Sequence, residues 1–206
     1  MTEEINHTFE LIASRIPAQS SVLDVGCGAG DLLSMLDKKP AMRVQGLEIS
    51  RDGVASCVSR GLSVVQGDAN TDLRDYPDRS FDNVILTQTI QAMYRPLDVL
   101  DQALRIGNRV FVSTPNFAHW RLRLSLLFSG RMPQSLVLPT PWHETDNIHL
   151  CTLSDFIYLC TAQNITLEAA YSIRSNAPPR QFNPNGVNRA LANLRAEEAL
   201  FILTRD

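Results

Sequence analysis

The fold is decided by the stretch Val22-Leu23-Asp24-Val25-Gly26-Cys27-Gly28-Ala29-Gly30. The apolar run from Val22 to Val25 is typical of a buried strand, and a helical pattern begins at Asp31. Glycines between a strand and a helix let a ligand approach the backbone closely, because no side chain stands in the way. In this setting the glycine cluster predicts a binding site; a plain tight turn flanked by solvated acids is the simpler alternative.

Two phosphate-binding motifs fit this loop poorly. The dinucleotide motif G-x-G-x-x-G/A needs a small residue where Asp31 stands, which makes NAD or FAD the weaker ligand. A Walker loop is excluded because no Gly-Lys-Ser/Thr follows. The carboxyl edge of the predicted sheet gathers four acids, which would repel a pyrophosphate: Asp24 just before the loop, Asp31 just after it, Glu48 at the end of the second strand and Asp68 after the third. S-adenosylmethionine has a sulfonium and an ammonium group but no phosphate, so it is the ligand that the loop favours.

The predicted site for S-adenosylmethionine, or for its demethylated product S-adenosylhomocysteine, combines the glycine loop with the ends of the following strands. Glu48 is expected to accept the ribose hydroxyls, and Asp68-Ala69 to lie at the adenine edge. Gln88 can hydrogen-bond the methionyl group. The predicted cofactor-binding residues are Asp24, Gly26, Cys27, Gly28, Gly30, Glu48, Ile49, Asp68, Ala69 and Gln88.

Strand and helix patterns alternate beyond this loop. Further strands are predicted at 44–48, 62–65, 81–87, 109–113, 166–172 and 200–204. Such alternation predicts a parallel sheet covered by helices on both faces. The predicted fold class is therefore α/β, a three-layer αβα, doubly wound and mostly parallel sheet, within one domain that spans residues 1–206.

Two segments depart from this alternation. Residues 114–150 hold four prolines, both tryptophans and three of the four histidines, and are predicted to form a lid inserted after the fifth strand. Within the lid, Phe117, Trp120, Leu124 and Leu127 recur at helical spacing and predict a short amphipathic helix. Residues 175–186 are rich in Asn and Pro and are predicted to form an irregular loop.

Composition limits the class of protein. The 206 residues include 19 Lys and Arg against 22 Asp and Glu, and the resulting net charge of −3 disfavours nucleic-acid binding. The N-terminus is acidic where a signal peptide is basic, and about 18 consecutive apolar residues, as a membrane span needs, occur nowhere. The sequence thus predicts a cytoplasmic protein that binds no membrane. Four cysteines without a C-x-x-C pair predict reduced thiols.

At the level of families, the sequence resembles the class I methyltransferase superfamily through the glycine loop, Gly46-Leu47-Glu48, Gly67-Asp68-Ala69 and Ser80-Phe81-Asp82-Asn83-Val84-Ile85. More narrowly, it resembles the methionine-biosynthesis MetW family. Four segments carry this narrower resemblance: Thr87-Gln88-Thr89-Ile90-Gln91-Ala92, Pro115-Asn116-Phe117-Ala118-His119-Trp120-Arg121, Gly130-Arg131-Met132-Pro133 and Asn147-Ile148-His149-Leu150-Cys151-Thr152. It covers residues 10–172, and from Ser175 onward the chain does not align with the family.

The resemblance implies a seven-stranded sheet whose last strand is antiparallel. It also implies a role in methionine biosynthesis beside homoserine O-acyltransferase, which members support or activate. Two other functions stay open: a free-standing methyltransferase that acts on a small metabolite, and a degenerate fold that has lost its nucleotide. Whether methyl transfer occurs and whether the protein forms a homodimer are also left open.

This sequence lacks a histidine at the position of the usual catalytic base. Many small-molecule members of the superfamily have a proton-accepting histidine about ten positions after the Phe-Asp pair, where this chain has Ala92. His119, His143 and His149 in the lid are the remaining catalytic candidates, with a structural role as the alternative. Their spacing with nearby acids matches no zinc pattern, so no metal site is predicted.

The lid also carries the residue types that dominate binding energy at protein interfaces, tryptophan and arginine. Residues 116–140 contain three arginines and no acid. The predicted partner or acceptor surface consists of Trp120, Arg121, Arg123, Arg131 and Trp142. A solvated helix face is the alternative interpretation.

Overall fold

A computed structural model describes residues 7–205 as one sheet with helices on both faces. The strands are β1 (Ser21–Val25), β2 (Arg43–Glu48), β3 (Val64–Gln66), β4 (Phe81–Thr87), β5 (Gly107–Pro115), β6 (Thr166–Arg174), β7 (Ala177–Gln181) and β8 (Glu198–Thr204). The helices are α1 (His7–Arg15), α2 (Asp31–Asp37), α3 (Arg51–Ser59), α4 (Ala69–Asp72), α5 (Pro96–Ile106), α6 (Trp120–Ser129), α7 (Leu153–Ala162) and α8 (Asn188–Arg195). Two 3-10 turns occupy Leu73–Asp75 and Ile90–Ala92.

The strand order places a binding crevice next to the glycine loop. The order is β3-β2-β1-β4-β5-β8-β6-β7, and the pairs from β3 through to β5 are all parallel. β8 runs antiparallel to both β5 and β6. Because the chain turns toward β2 after β1 but toward β5 after β4, the connections diverge between these two strands, and such a switch point opens a crevice at the carboxyl edge of the sheet.

Two hydrophobic cores hold the helices against the sheet. On one face, α5 and α7 cover the strands, with Leu100 and Ala103 fully buried and the rings of Phe156 and Phe201 stacked at 4.6 Å. On the other face, α1 and α2 pack Ile12 and Leu33 against the sheet. The predicted three-layer, doubly wound α/β class is confirmed.

The number of strands in the sheet is eight rather than the expected seven. The antiparallel last strand is present as β8, and the additional strand is β7 at the edge. The prediction of an irregular loop over 175–186 was therefore wrong for Ala177–Gln181. The prolines at 178 and 179 suggested a loop, but an edge strand pairs on one side alone and tolerates residues that lack a backbone donor.

The lid after β5 is confirmed as a helix followed by irregular chain. β5 extends to Pro115, so the lid begins one or two residues later than predicted. The predicted stripe of α6 does not face the core: Leu122 is the buried residue of the helix, whereas Trp120 is 42% and Leu127 is 73% exposed. Among residues 7–205, no helix is long and apolar enough to cross a membrane.

Candidate functional site

The glycine loop combines one crowded position with one open position. Gly26 has φ +74°, and a Cβ atom there would lie 2.8 Å from Thr89 Oγ1. Gly28 has φ +55°, and nothing lies within 4 Å of the corresponding position. A Cβ on Gly30 would lie 2.8 Å from Cys57 Sγ on α3, so this third glycine serves packing between loop and helix. Gly28 therefore marks the part of the loop that a ligand can reach.

Glu48 at the end of β2 fastens the loop from the side. Its Oε2 accepts a hydrogen bond from the Gly28 N–H at 2.8 Å, and its Oε1 accepts one from the Ser50 N–H at 2.8 Å. The side chain is 7% exposed. Each carboxylate oxygen has a second lone pair, so Glu48 can hold the loop and still accept ribose hydroxyls.

Asp24 at the end of β1 is a buried acid with an uncompensated oxygen. It is 2% exposed, and its Oδ1 has no hydrogen-bond partner. Burial, and secondarily the nearby Glu48 carboxylate, raise the pKa of Asp24 to about 7. A buried carboxylate of this kind is stabilised by a cation. The arrangement fits S-adenosylmethionine, whose cationic groups are an ammonium and a sulfonium.

A cavity of about 630 Å³ opens at this carboxyl edge, a size suited to a nucleoside-like ligand. Six of the predicted cofactor-binding residues line it: Gly26, Glu48, Ile49, Asp68, Ala69 and Gln88. Asp24, Cys27, Gly28 and Gly30 are outside its lining. Residues that sequence reasoning did not assign to the cofactor also line it, among them Asn70, Thr89, Tyr94 and Asn147.

Two further predicted loop residues have local structural partners. Asp68 caps α4, since its Oδ1 accepts the Asn70 N–H at 2.8 Å. Cys27 Sγ lies 4.0 Å from Cys57 Sγ, and burial raises the pKa of the Cys27 thiol far above its ordinary value. Cys27 is therefore a packing thiol beneath the loop and not a nucleophile.

Gln91 ties the lid to the cavity. Its carbonyl oxygen accepts hydrogen bonds from the N–H groups of Ile148 and His149 at 3.0 and 2.9 Å. Its side-chain amide donates to the Gln88 carbonyl at 2.8 Å, while its Oε1 is buried without a partner. Gln88 has φ +50°, which is unusual for a residue with a side chain. In the sequence, nothing but the pair of glutamines pointed to this link.

The three candidate histidines do not line the 630 Å³ cavity. His119 is buried and lines a separate cavity of about 340 Å³ together with Arg121, and burial lowers its pKa. His143 is exposed with its Nε2 3.7 Å from Glu144, and His149 is exposed as well. Within the described part of the chain, no three metal-ligating residues are grouped.

The predicted partner or acceptor surface lies on the outside of the lid. Trp120 and Trp142 are 42% and 72% exposed, and the guanidinium of Arg121 lies 5.3 Å from the centre of the Trp120 ring. Arg123 donates to the Ala118 carbonyl at 2.6 Å, and Arg131 is exposed. All five residues lie in the lid, but Trp120 is the first residue of α6, whereas Trp142 is in the irregular chain between α6 and α7.

The strand order, the glycine loop and the crevice beside it are those of the S-adenosylmethionine-dependent methyltransferase fold. A methyltransferase of this class from Thermotoga maritima superposes with a TM-score of 0.69 at 15% identity, covering 97% of this chain and 88% of that one. The [4+2]-cyclase SpnF superposes with a TM-score of 0.66 at 17% identity, covering 96% and 80%. The fold therefore does not by itself establish methyl transfer.

The chain belongs to the MetW family. The family model described as "Methionine biosynthesis protein MetW" matches residues 6–203, so the expectation that the chain stops aligning with the family at Ser175 was wrong. The bifunctional methionine biosynthesis protein MetXA/MetW of Rhodopirellula baltica is 33% identical over 173 residues, which are 80% of this chain. This chain spans 28% of the length of that relative.

Proposed function

We propose that this protein binds S-adenosylmethionine or S-adenosylhomocysteine in the 630 Å³ cavity and acts with homoserine O-acyltransferase in methionine biosynthesis. The observation that carries the cofactor proposal is that Gly26 and Glu48 line the cavity, while the buried Asp24 carboxyl near Glu48 has an oxygen without a partner. A cationic ligand in the cavity would offset the charge of Asp24 through space. Bound S-adenosylmethionine would bring an activated methyl group to this edge of the sheet.

The cavity favours binding over methyl transfer to oxygen. Ala92 lines the cavity at the position where a proton-accepting histidine was expected from the superfamily. A hydroxyl acceptor gains nucleophilicity only as its proton leaves, so this arrangement supports a sensing or activating role. The free-standing methyltransferase remains the second candidate, since thiol and amine acceptors need less help from a base.

The partner proposal is supported by the Rhodopirellula baltica relative, whose name joins MetXA and MetW in one protein. A surface for the partner is offered by α6, where Leu127 and Phe128 are 73% and 81% exposed beside arginines that have no acid among residues 116–140. The same lid lines the cavity through Thr140 and residues 145–148. A partner bound to the lid would thereby respond to occupancy of the cavity.

One experiment distinguishes the two candidate functions. The protein is mixed with the homoserine O-acyltransferase of the same organism, and the acyl-transfer rate is measured with and without S-adenosylmethionine. In parallel, the protein alone is incubated with methyl-labelled S-adenosylmethionine and a metabolite extract. We expect complex formation and a changed acyl-transfer rate; labelled product in the absence of the partner would favour the methyltransferase.

The carboxylate of Glu48 is expected to be needed for cofactor affinity. Glu48→Ala removes the acceptor for two ribose hydroxyls and the two bonds to Gly28 N and Ser50 N, and we expect calorimetry to show weaker S-adenosylhomocysteine binding by about 1.5–3 kcal/mol. The matched control is Asp31→Ala, because Asp31 is a neighbouring exposed acid paired with Arg60 at 2.7 Å. Equal affinities in all three proteins would contradict the ribose assignment.

The surface of α6 is expected to be needed for the complex. Trp120→Ala combined with Arg121→Ala removes the stacked pair, and we expect at least about tenfold weaker binding of the acyltransferase, as for central interface residues. S-adenosylhomocysteine affinity of the isolated protein should not change. Tyr158→Ala, which removes an aromatic ring that is 76% exposed on α7, is the control. A variant with an unchanged melting temperature that still binds the acyltransferase normally would exclude this surface.

A further inference from the structure

A second cavity, of about 540 Å³, lies on the α1 side of the same sheet edge. It is built from the start of α1, the end of β4, the end of β6 and the start of β8. Gln88 lines both this cavity and the 630 Å³ cavity, so the two adjoin at one residue. Phe9, Val137 and Ile173 contribute apolar surface to it.

The polar end of this cavity is formed by Glu198. In the strand register Glu198 pairs with Pro115 on one side and Ile173 on the other, at the level where the parallel strands end. The side chain is 5% exposed. Its Oε2 accepts a hydrogen bond from Thr8 Oγ1 at 2.9 Å, whereas its Oε1 has no partner.

A second unpartnered oxygen lines the same cavity. Thr87 Oγ1 is buried without a hydrogen-bond partner, and Thr87 comes at the end of β4. Burial raises the pKa of Glu198, and side-chain hydrogen bonds from Ser113, Thr8 and Gln88 oppose the rise. Glu198 Oε1 and Thr87 Oγ1 still have no hydrogen-bond partner within residues 7–205, so a ligand donor could satisfy both oxygens.

Within residues 7–205, no cation forms an ion pair with Glu198. The charged groups that line the cavity are His7, Arg174, Glu197 and Glu198. His7 lies 3.8 Å from Glu10, and Glu197 accepts the Ser175 N–H at 2.7 Å. Neither His7 nor Arg174, the two basic residues in the lining, forms an ion pair with Glu198, so a cationic ligand would balance the buried carboxylate.

We propose that the 540 Å³ cavity binds a small molecule with a protonated primary amine on an apolar body. The ammonium group would donate to Glu198 Oε1 and Thr87 Oγ1, and the apolar body would contact Phe9, Val137 and Ile173. An ammonium group has three donors and no acceptor, which matches a pair of free oxygens. This site is separate from the cofactor proposal and does not depend on it.

The proposal is tested with n-hexylamine and hexan-1-ol, which have similar size but differ in charge. Binding to the full-length protein at pH 8 is followed by two-dimensional NMR, with the amide signals of Gln88, Ile173 and Arg174 as local reporters. We expect hexylamine to bind at least tenfold more tightly than hexanol and to shift these signals. Equal binding of the two compounds, or shifts confined to other regions, would overturn the proposal.

Variants separate the charge of Glu198 from its packing. Glu198→Gln should weaken hexylamine binding at least tenfold and leave hexanol binding unchanged. Thr87→Val should weaken hexylamine binding several-fold. Glu168→Gln makes the same charge change toward the other end of β6, where Glu168 pairs with Arg109, and should have no effect on binding. S-adenosylhomocysteine affinity should stay within twofold in all three variants. Unchanged hexylamine binding by a folded Glu198→Gln protein would overturn the proposal whatever the cofactor result.

Discussion

Gly28→Val is expected to reduce S-adenosylhomocysteine affinity by about 100-fold or more while leaving the fold intact. The backbone at this position has φ +55°, and the space beyond it is open. A valine there would project two methyl groups into the open space where the proposed adenosyl group would lie, and its β-branched side chain resists a positive φ. A 100-fold loss corresponds to about 2.8 kcal/mol, well within what a direct steric clash produces. Calorimetric titration measures the effect.

The control must carry the same backbone strain at a site without a ligand. Gly61 has φ +73° and also has nothing within 4 Å of a Cβ position, but it follows α3, whereas Gly28 is in the glycine loop and donates to Glu48, which lines the cavity. Gly61→Val should lower the melting temperature about as much as Gly28→Val and leave cofactor affinity unchanged. If both variants lost affinity equally, general strain and not blockage of the loop would be responsible.

The parallel half of the fold could be predicted because local signals and long-range packing agree there. The apolar run before Gly26 and the helix start at Asp31 both follow from chain-local chemistry, and the parallel sheet follows from their repetition. β7 could not be predicted in this way. Its two prolines are typical of a loop, and only its pairing with β6 at the edge of the sheet stabilises an extended strand there.

The lid shows a different limit of sequence reasoning. The spacing of Trp120, Leu124 and Leu127 correctly predicted a helix, since periodicity reflects helix geometry. Periodicity does not say which direction the apolar stripe faces, and here the buried contact is made by Leu122. The exposed stripe is the feature on which the proposed partner surface rests.

Of the two buried acids, Asp24 could be predicted in part from the sequence, and Glu198 could not. Asp24 was assigned from its place before the glycines, but nothing in the sequence showed that one of its oxygens lacks a partner. Glu198 had no signal at all, because its burial results from β8 inserting between β5 and β6. A carboxylate of this type can be recognised only when the neighbouring strands are known, because its burial, and not its residue type, raises its pKa.

The pKa of Asp24 leads to an expected opposition between stability and binding. Because the pKa of Asp24 is raised to about 7 in the folded protein from an ordinary value of 3.8, the folded state holds a proton that the unfolded state has lost between these values. The free energy of unfolding therefore decreases as pH rises from about 4 to 7, and the penalty is fully present above pH 7. Between these two pKa values, the free energy of unfolding decreases by about 4 kcal/mol at most.

Asp24→Asn removes this titration, so the stability of the variant relative to the wild type should increase by about 3 kcal/mol between pH 5 and pH 8. Urea unfolding at both pH values measures the difference. Asp82→Asn is the control, because the Ser21 N–H and hydroxyl lower the pKa of Asp82, so the stability difference that this variant causes should not change over this pH range.

The same Asp24→Asn change should weaken S-adenosylmethionine binding at least tenfold, since a neutral amide cannot balance the charge of the ligand. Wild-type affinity should rise from pH 6 to pH 8 as Asp24 ionises. A variant that binds the cofactor normally at pH 8 would show that the buried charge serves another purpose than to receive this ligand.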